Sequence, residues 1–406
     1  MKLLNTLCFF ILLSSSSSFS QNLLDSLSLA KEKLHEDFDK ALKKPKKVYK
    51  LIISNTLWTT LPPEIGSLTN LQSLTLDRNP LKNLPAQLEN LANLQILSIS
   101  NTSSLDYWQE APKLSKLSNL EILILSYNQL PQIHPLLCEL SNLRKLILNN
   151  NKLTILPAEI GKLDNLTELN VNNNQLSGLP YQVIQMTNLK KLTLQNNLIS
   201  SLPANFTNLK HLAVLDLSKN KSLNIEVTSK QISSLENLKI LDLRYCNLKE
   251  FQVELCDLKQ LQELSLSFNQ IKSIPDEIGK LAALRNLSLG FNQLNIIPKS
   301  IGNLKLLEDL SFWNNKIIEI PDEICKLKSL KNLNLSANKL TKLPENIGQL
   351  KQLEKLDLTS NQLTALPESI EDLKNLKFLI IRQNNIPPSE IKKIKKLLPK
   401  CEVQYQ

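Results

Sequence analysis

A 23-residue pattern repeats along almost the whole chain, and it restricts the possible fold more than any other feature. The unit reads LxxLxLxxNxLxxLPxxIGxLxx, and the copy from Leu284 follows it closely (LRNLSLGFNQLNIIPKSIGNLKL). We count fifteen units, of which those from Leu94 and Leu212 run to 26 residues. The others begin at Val48, Leu71, Leu120, Leu143, Leu166, Leu189, Leu238, Leu261, Leu284, Leu307, Leu330, Leu353 and Leu376. No unit can bury its leucines alone, so the units must stack against one another.

Each unit predicts a short strand followed by a turn. The LxLxx segment alternates apolar and polar residues, as a strand with one buried face does. Successive strands then become parallel neighbours ~4.8 Å apart. An asparagine follows, and its amide can satisfy buried backbone groups along the turn. The structural asparagines predicted in this way are Asn79, Asn128, Asn151, Asn174, Asn197, Asn220, Asn269, Asn292, Asn315, Asn338, Asn361 and Asn384. Thr56, Thr102 and Cys246 replace it in three units, where we expect a less well satisfied turn.

This repeat resembles the leucine-rich repeat family, in particular the units of Ras-suppressor-type scaffolds and of exported bacterial repeat proteins. The resemblance covers about residues 48–398. It implies an α/β fold: a right-handed solenoid, or horseshoe, with a concave parallel β-sheet and helical end caps. For function it implies protein binding only in general, because such proteins share an architecture and not a ligand.

The first twenty residues are typical of a secretory signal. Lys2 supplies positive charge, the segment 3–13 is largely apolar, and Ser18 and Ser20 offer small residues for cleavage. The apolar segment is about half of the ~20 residues that a membrane-spanning helix needs. We therefore expect an exported protein, periplasmic or extracellular, without a membrane span. The alternative is a cytoplasmic protein.

The remaining chain divides into a body with two capping segments. Residues 48–388 form the predicted solenoid, and residues 389–406 form a C-terminal cap with a helix over 389–398 and a strand-like tail. Residues 21–47 predict an N-terminal capping helix. Its apolar face would consist of Leu23, Leu27, Ala30, Leu34, Phe38 and Ala41.

Cysteine and charge placement limits the chemistry. Cys138, Cys256 and Cys325 occupy the slot that usually holds glycine. Because their units lie about 14 Å or more apart, we expect free thiols. Of the net charge of +10, the segments 31–50 and 389–406 together carry +7, so the body lacks the basic track that nucleic acid requires. His134 and Cys138 are spaced as a pair of metal ligands but have no further ligand nearby. Catalytic and phosphate-binding motifs are missing, so we predict no enzyme, no cofactor and no metal.

The strand positions contain one candidate binding surface. Tyr245, Phe268 and Phe291 share a slot in three consecutive units, and Trp313 stands one slot earlier in the next unit. The strand neighbours of these rings are small, namely Ser265, Ser267, Ser288, Gly290 and Ser311. Rings at ~4.8 Å intervals would form a ladder ~15 Å long. Polar residues that could add specificity around it are Arg244, Asp242, Glu263 and Asp309.

Two interpretations of this ladder stay open at the level of sequence. Aromatic residues and arginine often anchor interfaces, which favours a protein partner on the concave face of a non-enzymatic scaffold. Stacked rings can equally stabilise neighbouring strands without binding anything. A carbohydrate-binding module that stacks sugars on the ladder is the alternative function. An intracellular signalling scaffold becomes the alternative if the chain has no signal peptide.

Overall fold

The structure is a computed structural model, and it describes residues 23–405. The predicted signal segment and Cys8 lie outside these residues. The chain divides into two compact units, of which the first ends at Asn151 and the second begins at Lys152.

Over residues 23–151, the first unit contains six parallel strands, each hydrogen-bonded to the next in chain order. They are β1 Leu34–His35, β2 Lys50–Ile52, β3 Ser73–Thr75, β4 Ile96–Ser98, β5 Ile122–Ile124 and β6 Lys145–Ile147. Its α-helices are α1 Ser26–Lys31, α2 Phe38–Leu42 and α3 Tyr107–Leu114. Short 3-10 turns at Pro45–Lys47, Pro63–Ser67, Ala86–Asn90 and Pro135–Glu139 form the side opposite the sheet.

The second unit contains eleven parallel strands, again paired in chain order. They are β7 Glu168–Asn170, β8 Lys191–Thr193, β9 Val214–Asp216, β10 Ile240–Asp242, β11 Glu263–Ser265, β12 Asn286–Ser288, β13 Asp309–Ser311, β14 Asn332–Asn334, β15 Lys355–Asp357, β16 Phe378–Ile380 and β17 Glu402–Gln404. Its α-helices are α4 Ile225–Ile232 and α5 Pro388–Leu397. Its 3-10 turns are Ala158–Lys162, Tyr181–Gln185, Phe206–Asn208, Val253–Asp257, Asp276–Lys280, Lys299–Asn303, Asp322–Lys326, Ile347–Gln349 and Glu368–Asp372.

The strand register follows the repeat. The central residue of each strand from β2 to β16 is leucine, and within each unit it pairs with the central leucine of the next strand, as Leu264 does with Leu287 and Leu287 with Leu310. These leucines are buried, whereas most of the residues on either side of them are partly exposed. The alternation expected from the LxLxx segment is therefore present, and the predicted leucine-rich repeat fold is confirmed.

The asparagines hold one repeat to the next. In the turn after β12, the side-chain nitrogen of Asn292 donates to the carbonyls of Leu289 and Leu266, both at 3.0 Å. Its side-chain oxygen accepts from the backbone N–H of Ile271 at 3.0 Å. Asn269, Asn315, Asn338 and Asn361 repeat this arrangement one unit apart. Each amide thus satisfies backbone groups of two neighbouring repeats, which would otherwise be buried without partners.

Two of the substituted turns are better satisfied than we predicted. Thr102 has no amide to offer, but the long repeat supplies the Tyr107 hydroxyl, which contacts Thr102 and donates to the carbonyl of Ile99 at 2.9 Å. The thiol of Cys246 donates to the carbonyl of Leu217 at 3.2 Å. A nearby hydroxyl, or the thiol that replaces the asparagine, can therefore donate a hydrogen bond to a carbonyl of the turn.

The prediction of a single N-terminal capping helix is wrong. The described part of this segment folds as two short helices, α1 and α2, separated by the strand β1. Asp25 caps α1 by accepting from the N–H of Ser28 at 2.7 Å, and Asp37 caps α2 by accepting from Lys40 at 2.9 Å. Between them the chain is extended, so that β1 covers the edge of β2. The continuous apolar face is consequently lost, and Leu27 and Leu34 are exposed.

The predicted C-terminal helix lies at α5, and the tail forms β17 against β16. Each of the 26-residue units contains an α-helix, α3 or α4, where the 23-residue units have a 3-10 turn. Among residues 23–405, no disulfide joins the cysteines Cys138, Cys246, Cys256, Cys325 and Cys401.

Candidate functional site

Three aromatic rings stack across neighbouring strands of the second unit. The rings of Tyr245 and Phe268 are 4.2 Å apart between centroids and 9° from parallel. Those of Phe268 and Phe291 are 5.0 Å apart and inclined by 24°. Tyr245 and Phe291 are 40% and 47% exposed. Together with Trp313 these residues form a continuous surface, which we call the aromatic ladder.

The backbone at these three positions is left-handed. The φ angles of Tyr245, Phe268 and Phe291 are 58°, 59° and 54°. A non-glycine residue pays roughly 1–2 kcal/mol for this conformation, and asparagine tolerates it better than aromatic residues do. Asparagine holds the same slot in neighbouring repeats, as in Asn196 and Asn314. The three rings therefore occupy positions where the local backbone favours another residue.

Trp313 belongs to the ladder through a gap left by glycine. A β-carbon on Gly290 would lie 2.0 Å from the indole nitrogen of Trp313, so any side chain there would displace the indole. The indole meets Phe268 and Phe291 edge-on, with centroid distances of 5.4 and 5.6 Å. Gly290 and Trp313 share a slot in consecutive repeats, and the small residue makes room for the large one.

Arg244 and Asp242 neutralise each other beside the ladder. The guanidinium of Arg244 donates to both carboxylate oxygens of Asp242, at distances of 2.5–3.0 Å. This hydrogen bonding raises the pKa of Arg244, so the guanidinium stays charged. Burial, followed by the charge of Asp242, raises the pKa of the neighbouring Asp216. Arg244 and Asp242 therefore form an intramolecular ion pair next to Tyr245, the residue at one end of the aromatic ladder.

A groove of about 360 Å³ runs beside the ladder over strands β11 to β15. Ser265, Ser288 and Ser311 form its floor. Its far side carries the first residues of the strands, namely Glu263, Asn286, Asp309, Asn332 and Lys355. The groove therefore has small residues at its centre and polar or charged groups along the side that lies away from the rings.

Asp309 is positioned by two amides. Asn332 donates to Oδ1 of Asp309 at 2.5 Å. In the orientation that satisfies both of its amide atoms, Asn286 donates to Oδ2 of Asp309 at 3.0 Å. Within residues 23–405, neither Glu263 nor Asp309 forms a salt bridge. Both carboxylates therefore line the groove without a salt-bridge partner among these residues.

The structure brings together the residues singled out in the sequence. Tyr245, Phe268, Phe291 and Trp313 are joined by a continuous series of ring contacts, and Glu263 and Asp309 line the adjoining groove. The sequence reasoning missed Tyr127, which has the same slot and a φ of 60° in the first unit and is 56% exposed. Its distance of 23 residues from Asn150 could have revealed it.

Other kinds of site find little support in the part of the chain that is described. Within residues 23–405 no three His, Cys, Asp or Glu side chains cluster as metal ligands. The same residues include no helix with the length and apolarity needed to pass through a bilayer. Burial raises the pKa of the Cys246 and Cys256 thiols to about 12, so they stay protonated at neutral pH and are poor nucleophiles.

The repeat geometry and the asparagine turns define a class of protein, and the family comparison agrees with it. A family model described as a leucine-rich repeat region matches residues 104–227, 201–335 and 319–399. The chain belongs to the leucine-rich repeat family. No curated protein sequence matches it significantly.

Several solved structures are similar to the chain. A leucine-rich repeat protein of Leptospira interrogans is 39% identical, with a TM-score of 0.79, and the match covers 92% of this chain and 99% of that one. The plant peptide hormone receptor RGFR1, solved in complex with RGF2, is 28% identical with a TM-score of 0.65; the match covers 88% of this chain and 61% of the receptor. The Arabidopsis receptor kinase HAESA, in complex with the peptide hormone IDA and the co-receptor SERK1, is 25% identical with a TM-score of 0.59, covering 92% and 68%.

Proposed function

We propose that the chain is an exported, non-enzymatic binding protein that recognises a protein partner on the aromatic ladder. The observation that carries the proposal is the set of rings at Tyr245, Phe268 and Phe291, which are stacked and solvent-accessible in a backbone conformation that disfavours them. The same slot is left-handed in other repeats, where residues such as Asn196 and Asn314 fill it, so the aromatic side chains and not the backbone set these three repeats apart. Leucine-rich repeat proteins typically act as protein-binding scaffolds, and RGFR1 and HAESA are receptors solved with peptides.

The preformed sheet supports this role energetically. The strands that precede the rings are hydrogen-bonded on both sides, and the asparagines at positions 269 and 292 satisfy backbone carbonyls of the turns. A partner would therefore meet a surface that needs little ordering, and the conformational entropy lost on binding is correspondingly small.

The stacking argues for a protein partner over a glycan. Sugar rings pack their C–H groups against the electron-rich face of an aromatic ring. In the ladder, Phe268 has Tyr245 on one face and Phe291 on the other, at 4.2 and 5.0 Å. The edges of the central ring remain for a ligand, and an apolar side chain of a protein can pack against edges as well as faces.

Affinity capture from the cell that produces the protein tests the proposal. The bait variants are Phe268→Asn with Phe291→Asn, because asparagine suits the left-handed backbone and preserves the turn. Tyr127→Asn is the matched control, since it removes an exposed ring from the same slot elsewhere. We expect a protein retained by the wild type and by the control to be lost from the double variant. Equal retention by all three baits contradicts the proposal.

A glycan array probed with the same three proteins addresses the alternative. Binding of a glycan by the wild type and the control, with loss in the double variant, would establish the carbohydrate-binding function instead. Sequencing the N-terminus of the mature protein tests export: we expect the chain to start after residue 20, and an intact Met1 contradicts it.

A further inference from the structure

The groove beside the ladder has three parallel rows of side chains with different chemistry. In the repeat of β13, Asp309 stands in the first row, Ser311 in the second and Trp313 in the third. Since an extended chain rises ~3.3 Å per residue, neighbouring rows are roughly 6.6 Å apart along the strand. Asp309 in the first row and Trp313 of the ladder are then about 13 Å apart, with the serine floor between them.

The groove has a net negative charge in a chain that is basic overall. Its first row contains the carboxylates Glu263 and Asp309 and a single cation, Lys355, and its second row ends at a third carboxylate, Asp357. The whole chain has a net charge of +10. Because Asp242 already binds Arg244, that guanidinium adds no free positive charge at the neighbouring strand. The groove therefore complements a cationic ligand, and its carboxylates repel polyanions such as nucleic acid.

The side of the groove opposite the first row is formed by Trp313 and the neighbouring rings of the ladder and is apolar. Phe268 is covered on both faces by Tyr245 and Phe291, so it offers ring edges, which carry partial positive charge. A cation therefore has its favourable position at the carboxylates and an apolar group has its position at the ladder. The two sides of the groove select two different kinds of side chain.

An extended peptide over the serine floor meets both demands. Its side chains point alternately to opposite sides, so every second one reaches the ladder and the others reach the first row. Glu263 and Asp309 are two repeats apart, which corresponds to about 10 Å along the groove. Two basic side chains on the same side of a peptide are ~6.6 Å apart at their α-carbons, and long side chains can bridge the difference.

We infer that this groove binds an extended peptide segment in which apolar and basic side chains alternate, with the apolar ones on the aromatic ladder and the basic ones at Glu263 and Asp309. The inference rests on the proposed function, because it assigns the chemistry of the partner to the same face.

Three synthetic octapeptides test it against the full-length protein. One alternates leucine and arginine, the second alternates leucine and glutamate, and the third has four leucines followed by four arginines. Titrations use isothermal calorimetry at low and at physiological ionic strength. We expect saturable binding of the alternating leucine–arginine peptide that weakens with salt, and at least tenfold weaker binding of the other two.

Two pairs of substitutions test whether the peptide binds in the groove. Glu263→Gln with Asp309→Asn should weaken binding of the alternating peptide by about tenfold or more. Asp276→Asn with Asp322→Asn changes the net charge equally on the 3-10 turns outside the groove and should leave the affinity unchanged. Thermal melts check that all variants remain folded.

The outcomes separate this inference from the proposed function. Three results would overturn the inference. The first is that the peptide with four leucines followed by four arginines, or the leucine–glutamate peptide, binds as tightly as the alternating leucine–arginine peptide. The others are equal weakening of binding by both pairs of charge variants, and no binding of any of the three peptides. If the ladder variants still lose a captured protein in those cases, the proposed function stands with a partner of different chemistry.

Discussion

Replacing Phe268 by asparagine sets two opposing effects against each other. The ring stacks on Tyr245 at 4.2 Å and on Phe291 at 5.0 Å, and it meets Trp313 edge-on at 5.4 Å. Each aromatic pair contributes about 0.5–1.5 kcal/mol beyond simple burial, so the variant loses roughly 1.5–4.5 kcal/mol. Asparagine relieves about 1 kcal/mol of the cost of the left-handed backbone at φ 59°. We expect a net loss of stability of roughly 0.5–3.5 kcal/mol.

Tyr127 provides the matched comparison for this prediction. It has the same slot and a φ of 60°, but within the described residues its ring contacts no other aromatic ring. Tyr127→Asn should therefore keep the backbone relief without losing a stacked pair, and should stabilise the protein by up to about 1 kcal/mol.

Urea unfolding followed by circular dichroism measures both changes, and a double-mutant cycle isolates the stacking. The coupling energy between positions 245 and 268 should be about 0.5–1.5 kcal/mol, whereas that between 127 and 268 should be near zero. If Phe268→Asn stabilises the protein as much as Tyr127→Asn does, or if both couplings are equal, the rings do not support one another and the reasoning is refuted.

Three further changes test other parts of the account. Gly290→Ala should force the Trp313 indole out of the ladder and cost about 1–3 kcal/mol, because the new β-carbon would lie 2.0 Å from the indole nitrogen; an unchanged Trp313 fluorescence spectrum and melting temperature would contradict this. Asn292→Ala should lower the free energy of unfolding by at least about 3 kcal/mol, since it leaves buried carbonyls and a buried N–H without partners; a loss under about 1 kcal/mol in urea unfolding would be inconsistent with it. Cys246 and Cys256, whose folded pKa values are about 12 against 9.0 for a free thiol, should resist alkylation at pH 8. Their protonated state contributes stability that is complete below pH 9 and is lost as the pH rises towards 12, so cysteine-to-alanine variants should show a weaker alkaline loss.

The repeat made most of the fold predictable, together with the stacking of the rings in the aromatic ladder. Because these units are 23 residues long, residues one period apart are neighbours, and the sequence alone therefore predicts that Phe268 lies between Tyr245 and Phe291. The same period predicts that the asparagines lie in successive turns and that cysteines in different repeats are too far apart to form disulfides.

Features that do not recur with the 23-residue period could not be predicted from the sequence. Trp313 is one slot out of line, and its contacts with the rings depend on the space that Gly290 leaves. The N-terminal segment lies outside the repeat, where helical periodicity competed with strand pairing at the sheet edge, and the pairing of β1 with β2 prevailed. The amides that position Asp309 come from side-chain orientations that a strand pattern does not specify.

Site-specific photocrosslinking tests the binding surface most directly. A benzoylphenylalanine at position 291 places a reactive ketone on the ladder, and the same residue at position 127 serves as an equally exposed control with the same backbone conformation. In the cell that produces the protein, the account predicts a discrete covalent adduct with another protein from position 291 and none from position 127. Adducts of equal yield from both positions, or none from position 291, would contradict it.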